Sequence, residues 1–75
     1  MASRLIGRGN VGEIIRQARI KQGITQVDLS VRMGYKPESL GISVRKWETG
    51  KALPPLDKIR DLAAILDVPI DALIP

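Results

Sequence analysis

The sequence contains no cysteine and no histidine. Disulfides are therefore impossible, the usual zinc spacings are absent, and neither a metal nor another cofactor is expected. Without these two residue types, only acids, Lys, Ser, Thr and Tyr35 remain for catalysis. They form no convergent set, which argues against an enzyme. Aromatic residues are nearly as scarce, with Tyr35 and Trp47 alone, so the core must be assembled from Ile, Leu, Val and Ala. No apolar run approaches the ~20 residues that span a bilayer, and the N-terminus lacks a signal-type apolar stretch. A soluble, cytoplasmic protein with no membrane partner is the expectation.

What is present fits one small helical domain. A chain of 75 residues with 44% hydrophobic residues has enough for a compact core, and packing alone must hold it. The net charge of +4 is unevenly spread: residues 1 to 51 hold ten Lys or Arg against four acids, and residues 52 to 75 hold two against four. A cationic N-terminal two-thirds suits a polyanion, whereas the mildly acidic remainder suits packing or self-association. Charge alone is equally compatible with simple solubility.

Along the chain, residues 1 to 10 read as a flexible basic arm carrying Arg4 and Arg8, and residues 11 to 75 as the folded domain. Asn10 can cap a first helix with Glu13 three residues on, and Val11, Ile14, Ile15 and Ala18 fall on one face. Gly23 ends that helix. Thr25 is the next cap, with Asp28 as its capping-box partner; Leu29, Ser30 and Met33 face inward before Gly34 stops the second helix. Tyr35 to Gly41 connects to a third helix around Ser39 to Thr49, capped by Ser39. There Leu40, Val44 and Trp47 share the inward stripe, and Ile42, Ser43, Arg45, Lys46 and Thr49 lie outward. Gly50 closes it in a left-handed conformation. Pro54 and Pro55 force an extended corner, a fourth helix from about Leu56 buries Ile59, Leu62, Ala63 and Leu66, and a final turn after Pro69 adds Ile70 and Leu73. The expected fold class is all-α, a bundle of about five short helices. Two of them, set at an angle around Gly34 with a polar, cationic second member, form a helix-turn-helix.

The pattern Gly23-x-Thr-Gln-x-x-Leu-Ser-x-x-x-Gly34, then a short Ile/Val-rich helix ending Trp47-Glu48-x-Gly50-Lys51, then Pro-x-x-x-x-x-x-x-Leu-Ala, resembles the Cro and lambda-repressor type of helix-turn-helix, also called the XRE family. The resemblance covers residues 11 to 74 and implies a double-stranded DNA-binding transcriptional regulator, of repressor type and homodimeric. It also implies that Gln26 and the start of the second helix meet a DNA phosphate, consistent with the anion preference of free backbone N–H groups, and that Arg19 pairs with Glu48 to fix the angle between their helices. Two departures stand out. Trp47 lies thirteen positions after Gly34, roughly four more than the family usually has, so the extra residues sit in Tyr35 to Gly41. This insertion either lengthens the turn, the favoured reading, or adds a helical turn starting at Pro37. Asp67 also stands where the family commonly has glycine, which Asp can tolerate.

Within that frame Ile42, Ser43 and Lys46 are the candidate base readers. Lys46 can donate to guanine O6 and N7, Ser43 can serve several bases, and Ile42 can touch a thymine methyl. Arg45 is either a further reader or a phosphate clamp. Thr25, Gln26, Arg32, Lys36, Thr49 and Lys51 are the candidate phosphate contacts, with Arg4 and Arg8 as a minor-groove arm. Capping alone accounts for Thr25, and Trp47 is a core anchor first. A different use of the same helices, as an antitoxin or adaptor module, would draw on the apolar end from Val68 to Pro75, with Ile70, Leu73 and Ile74.

Overall fold

A computed structural model describes residues 11–74. The expected Asn10 cap, the arm with Arg4 and Arg8, and Pro75 lie outside these residues. Four α-helices and two 3-10 turns follow one another: α1 Val11–Gln22, α2 Gln26–Arg32, the turn Pro37–Ser39, α3 Ile42–Glu48, α4 Leu56–Leu66 and the turn Ile70–Leu73. The class is all-α, with four α-helices in place of about five. Among the described residues no helix is long and apolar enough to cross a membrane, and no three or more acidic side chains are grouped so as to hold a metal ion.

The aliphatic stripes converge on one core. Ile15, Leu29, Val44 and Leu62 are fully buried, joined by Val11, Met33, Trp47, Ile59, Ala63, Leu66 and Leu73. Each large aliphatic buried in this way contributes about 1.5–3 kcal/mol. Helix α1 packs on α3, α4 and the final turn, and α2 packs on α3 and on the turn Pro37–Ser39. The approach of α1 to α3 is unusually tight at Gly12. A Cβ there would run into the carbonyl oxygen of Trp47 and stand 2.7 Å from that of Glu48, so the end of α3 is seated directly on the α1 backbone.

Main-chain bonding sets the helix ends. After α1, α2 and α3, the amides of Ile24, Tyr35 and Lys51 reach back to the carbonyls of Arg19, Ser30 and Lys46 at 3.3, 3.0 and 2.9 Å. These are Schellman turns, which require a left-handed residue at the glycine position. Gly23, Gly34 and Gly50 supply it. Asp67 takes the same conformation after α4, at φ 58° and ψ 48°, as aspartate tolerates.

The insertion forms a short helical turn starting at Pro37, the alternative to a plain longer turn, and this turn stays separate from α3. Pro37, with φ fixed by its ring, starts a 3-10 turn that ends at Ser39, and Leu40 and Gly41 are both left-handed. Two such residues in succession reset the helical phase, so α3 begins only at Ile42 and Leu40 leaves the inward stripe; it is 70% exposed. Nor does Ser39 cap α3. Its hydroxyl lies 3.2 Å from that of buried Ser30, satisfying a group whose burial without a partner would cost about 1–3 kcal/mol. Gly41 takes the cap position without a side-chain bond. Tyr35 anchors the start of the segment, its ring centroid 6.2 Å from that of Trp47 and 5.0 Å below the Lys58 ammonium of α4. In the final turn Leu73 enters the core, whereas Ile70 stays 43% exposed.

Candidate nucleic-acid interface

Helix α2 starts with a complete capping box. Thr25 Oγ1 accepts from the Asp28 amide at 3.0 Å, and the Thr25 amide donates to Asp28 Oδ2 at 3.0 Å. The backbone hydrogen bond from Thr25, followed by its side-chain bond, holds the Asp28 carboxyl below the ordinary aspartate range. This locks the first turn of α2, where Gln26 stands. Gln26 has a partner within the domain: its Nε2 donates to Glu48 Oε1 at 3.1 Å. That carboxylate is the hub of the motif. It also accepts from Arg19 Nε at 2.6 Å and Nη2 at 3.1 Å, while Arg19 Nη1 donates to the carbonyl of Ile24 at 2.9 Å. The ion pair is largely buried, with 13% of the Arg19 side chain and 3% of the Glu48 side chain exposed. It ties α1, the α1–α2 turn, the start of α2 and the end of α3 to one another, and so fixes the angle at which α3 is presented.

Helix α3 turns Val44 and Trp47 into the core. At 3.6 residues per turn the opposite face carries Ile42, Arg45, Lys46 and Thr49, all exposed. Ser43 is half-buried, because it lies about 60° around the helix from Lys46 and only about 40° from Trp47. Thr49 is the C-cap, and its hydroxyl donates to the carbonyl of Arg45 at 2.9 Å, so the side chain faces solvent with its proton already engaged. Lys51 is exposed just beyond.

Arg32 at the end of α2 and Lys36 before the turn are exposed as well. The ion pairs among the described residues are Arg19 with Glu48 and Arg16 with Glu13. Arg32, Lys36, Arg45, Lys46 and Lys51 are thus unpaired among the described residues, an arrangement that leaves their charge available to a polyanion. Gly41 joins the two helix starts. A Cβ on it would stand 3.0 Å from the Gln26 carbonyl carbon and 3.1 Å from Gln26 Cβ, and its φ is 72°, so both space and conformation favour glycine here.

The tie between Gln26 and Glu48 and the close seat of Gly41 on Gln26 were not legible in the sequence. The glycine pattern hinted at a turn at Gly41 but not at what lay beneath it. A family model described as Helix-turn-helix matches residues 15–73, from the middle of α1 to the final turn. No curated protein and no solved structure matches the chain.

Proposed function

The chain belongs to the XRE-type helix-turn-helix family of DNA-binding domains, and from that footing we propose a sequence-specific transcriptional regulator, repressor-like and dimeric, that reads the major groove with α3. One observation carries most of the weight. The face of α3 turned away from Trp47 presents Ile42, Arg45 and Lys46 to solvent, its two cations unpaired among the described residues, on a helix whose orientation is held by Arg19 and Glu48. In this reading Lys46 donates to guanine O6 and N7, Ser43 bonds a base edge from the flank, Ile42 meets a thymine methyl, and Arg45 serves as a further reader or phosphate clamp. Thr25, Gln26, Arg32, Lys36, Thr49 and Lys51 lie along the backbone, and Arg4 and Arg8 belong to the arm. Two copies would set their α3 helices about 34 Å apart on a pseudo-palindromic site.

The partner-binding alternative, an antitoxin or adaptor module, has a narrower base. Leu73 lies in the core, leaving Ile70 and Ile74 as the exposed large hydrophobics of that end among the described residues.

Selection of duplexes from a random pool, followed by gel-shift titration, tests the proposal. Lys46→Ala is expected to lose about 1–3 kcal/mol on the selected site and little on scrambled DNA. Lys51→Ala should weaken both duplexes about equally, since a phosphate contact carries no sequence information. Wild-type protein that binds selected and scrambled duplexes alike would defeat the proposal.

A further inference from the structure

Leu40 is a residue that the packing of the domain does not explain. Its side chain is 70% exposed, and its backbone is left-handed at φ 55° and ψ 29°, a region that bulky residues rarely adopt. Water favours a polar side chain at such a place, and the backbone favours glycine or asparagine. An outlier of this kind is a starting point for a functional hypothesis.

Its position supplies the rest. Leu40 closes the inserted turn and precedes Gly41, whose backbone rests on Gln26. The tip therefore stands where the starts of α2 and α3 meet. In helix-turn-helix docking the N-terminal residues of the second helix contact the base edges, and Leu40 stands just ahead of them. Ile42, 50% exposed, is two residues further on. On α3, Arg45 and Lys46 lie one turn from Ile42, and Lys36 stands at the head of the inserted turn; all three are exposed and unpaired among the described residues, with Glu38 as the acid within the turn. An apolar tip set among cations is complementary to a surface that is anionic at its margins and apolar at one point. In the major groove that point is the C5-methyl group of thymine. A symmetric contact between two copies would instead bring this cationic edge against itself.

We propose that Leu40, backed by Ile42, closes on the 5-methyl group of a thymine in the major groove, making Leu40 a specificity-determining residue supplied by the insertion. This rests on the reading of α3 as the major-groove helix.

The test uses the selected duplex with each thymine replaced in turn by uracil, which removes only the methyl group. It compares the full chain as wild type and as Leu40→Gly. Glycine keeps the left-handed backbone available, and thermal melting reports whether the variant is folded. One uracil is expected to weaken wild-type binding about fourfold, the value of one buried methyl group, and to weaken Leu40→Gly by less than about twofold, with no fall in the melting midpoint. If wild type selects a site but no thymine is sensitive, or if the sensitivity survives in Leu40→Gly, the Leu40 contact falls while α3 remains the major-groove helix; insensitivity of every thymine also removes the methyl contact assigned to Ile42. Wild-type protein that selects no site removes both. Failure of Leu40→Gly to fold, or its conversion of a dimer to a monomer without DNA, would show that Leu40 serves the fold or a second copy, and overturns the proposal.

Discussion

Glu48 shows how much can depend on one side chain. With 3% of its side chain exposed, it accepts from Arg19 twice and from Gln26 once. Arg19→Ala would leave a buried carboxylate without its counter-charge. The expected cost is about 3–5 kcal/mol, a large share of the ~5–15 kcal/mol that holds a typical domain. Urea unfolding measures it, and a loss below about 1 kcal/mol would mean that the pair behaves as a solvent-screened surface bridge. The sequence offered this pair only through family resemblance, since no local pattern links residues 29 positions apart. It offered nothing of the Gln26 bond, because periodicity assigns a face and not a partner. Leu40 was misjudged for a related reason: the stripe from Leu40 through Val44 to Trp47 presumes an unbroken helix, and successive left-handed residues break it.

At the scale of elements, α2 is the best-specified part of the chain. Its capping box and its glycine stop both rest on short-range chemistry, and the expected inward residues Leu29, Ser30 and Met33 are all buried. The box also makes a pH-dependent contribution. Asp28 has a lowered folded-state pKa, chiefly through the Thr25 backbone bond. Its stabilisation is therefore fully present above the unfolded-state value of about 3.9 and is lost as pH falls through the lower folded-state value. In urea unfolding across a pH series, wild type should exceed Asp28→Asn in stability near neutrality, and the gap should shrink below about pH 4. A gap independent of pH would show that the carboxylate charge is irrelevant to the cap. The insertion was harder to read than α2. Pro37 announced a turn start, but the fate of Ser39 depended on a distant buried hydroxyl at Ser30, which no propensity encodes.

For the whole molecule, the all-α class and the two-helix motif were legible because a chain without staples must show its core as aliphatic stripes, and these do. The close seat of α3 on Gly12 was not, since it is a tertiary fact carried by an absent Cβ. The cationic composition leads to a prediction at this scale. Affinity for DNA, followed by fluorescence anisotropy, should fall about a thousandfold or more between ~50 and ~200 mM salt if six or more phosphates are neutralised. Affinity unchanged over that range would remove the polyelectrolyte basis of binding.

The three glycine-centred helix stops have a bearing on how such a protein diversifies. Because α1, α2 and α3 are terminated by main-chain bonds, their lengths do not depend on the identity of neighbouring outward residues. Exposed positions such as Arg45 and Lys46 are therefore expected to accept exchange without moving the scaffold beneath them. If α3 reads the groove as proposed, a lineage carrying this frame would acquire new target preferences one surface codon at a time.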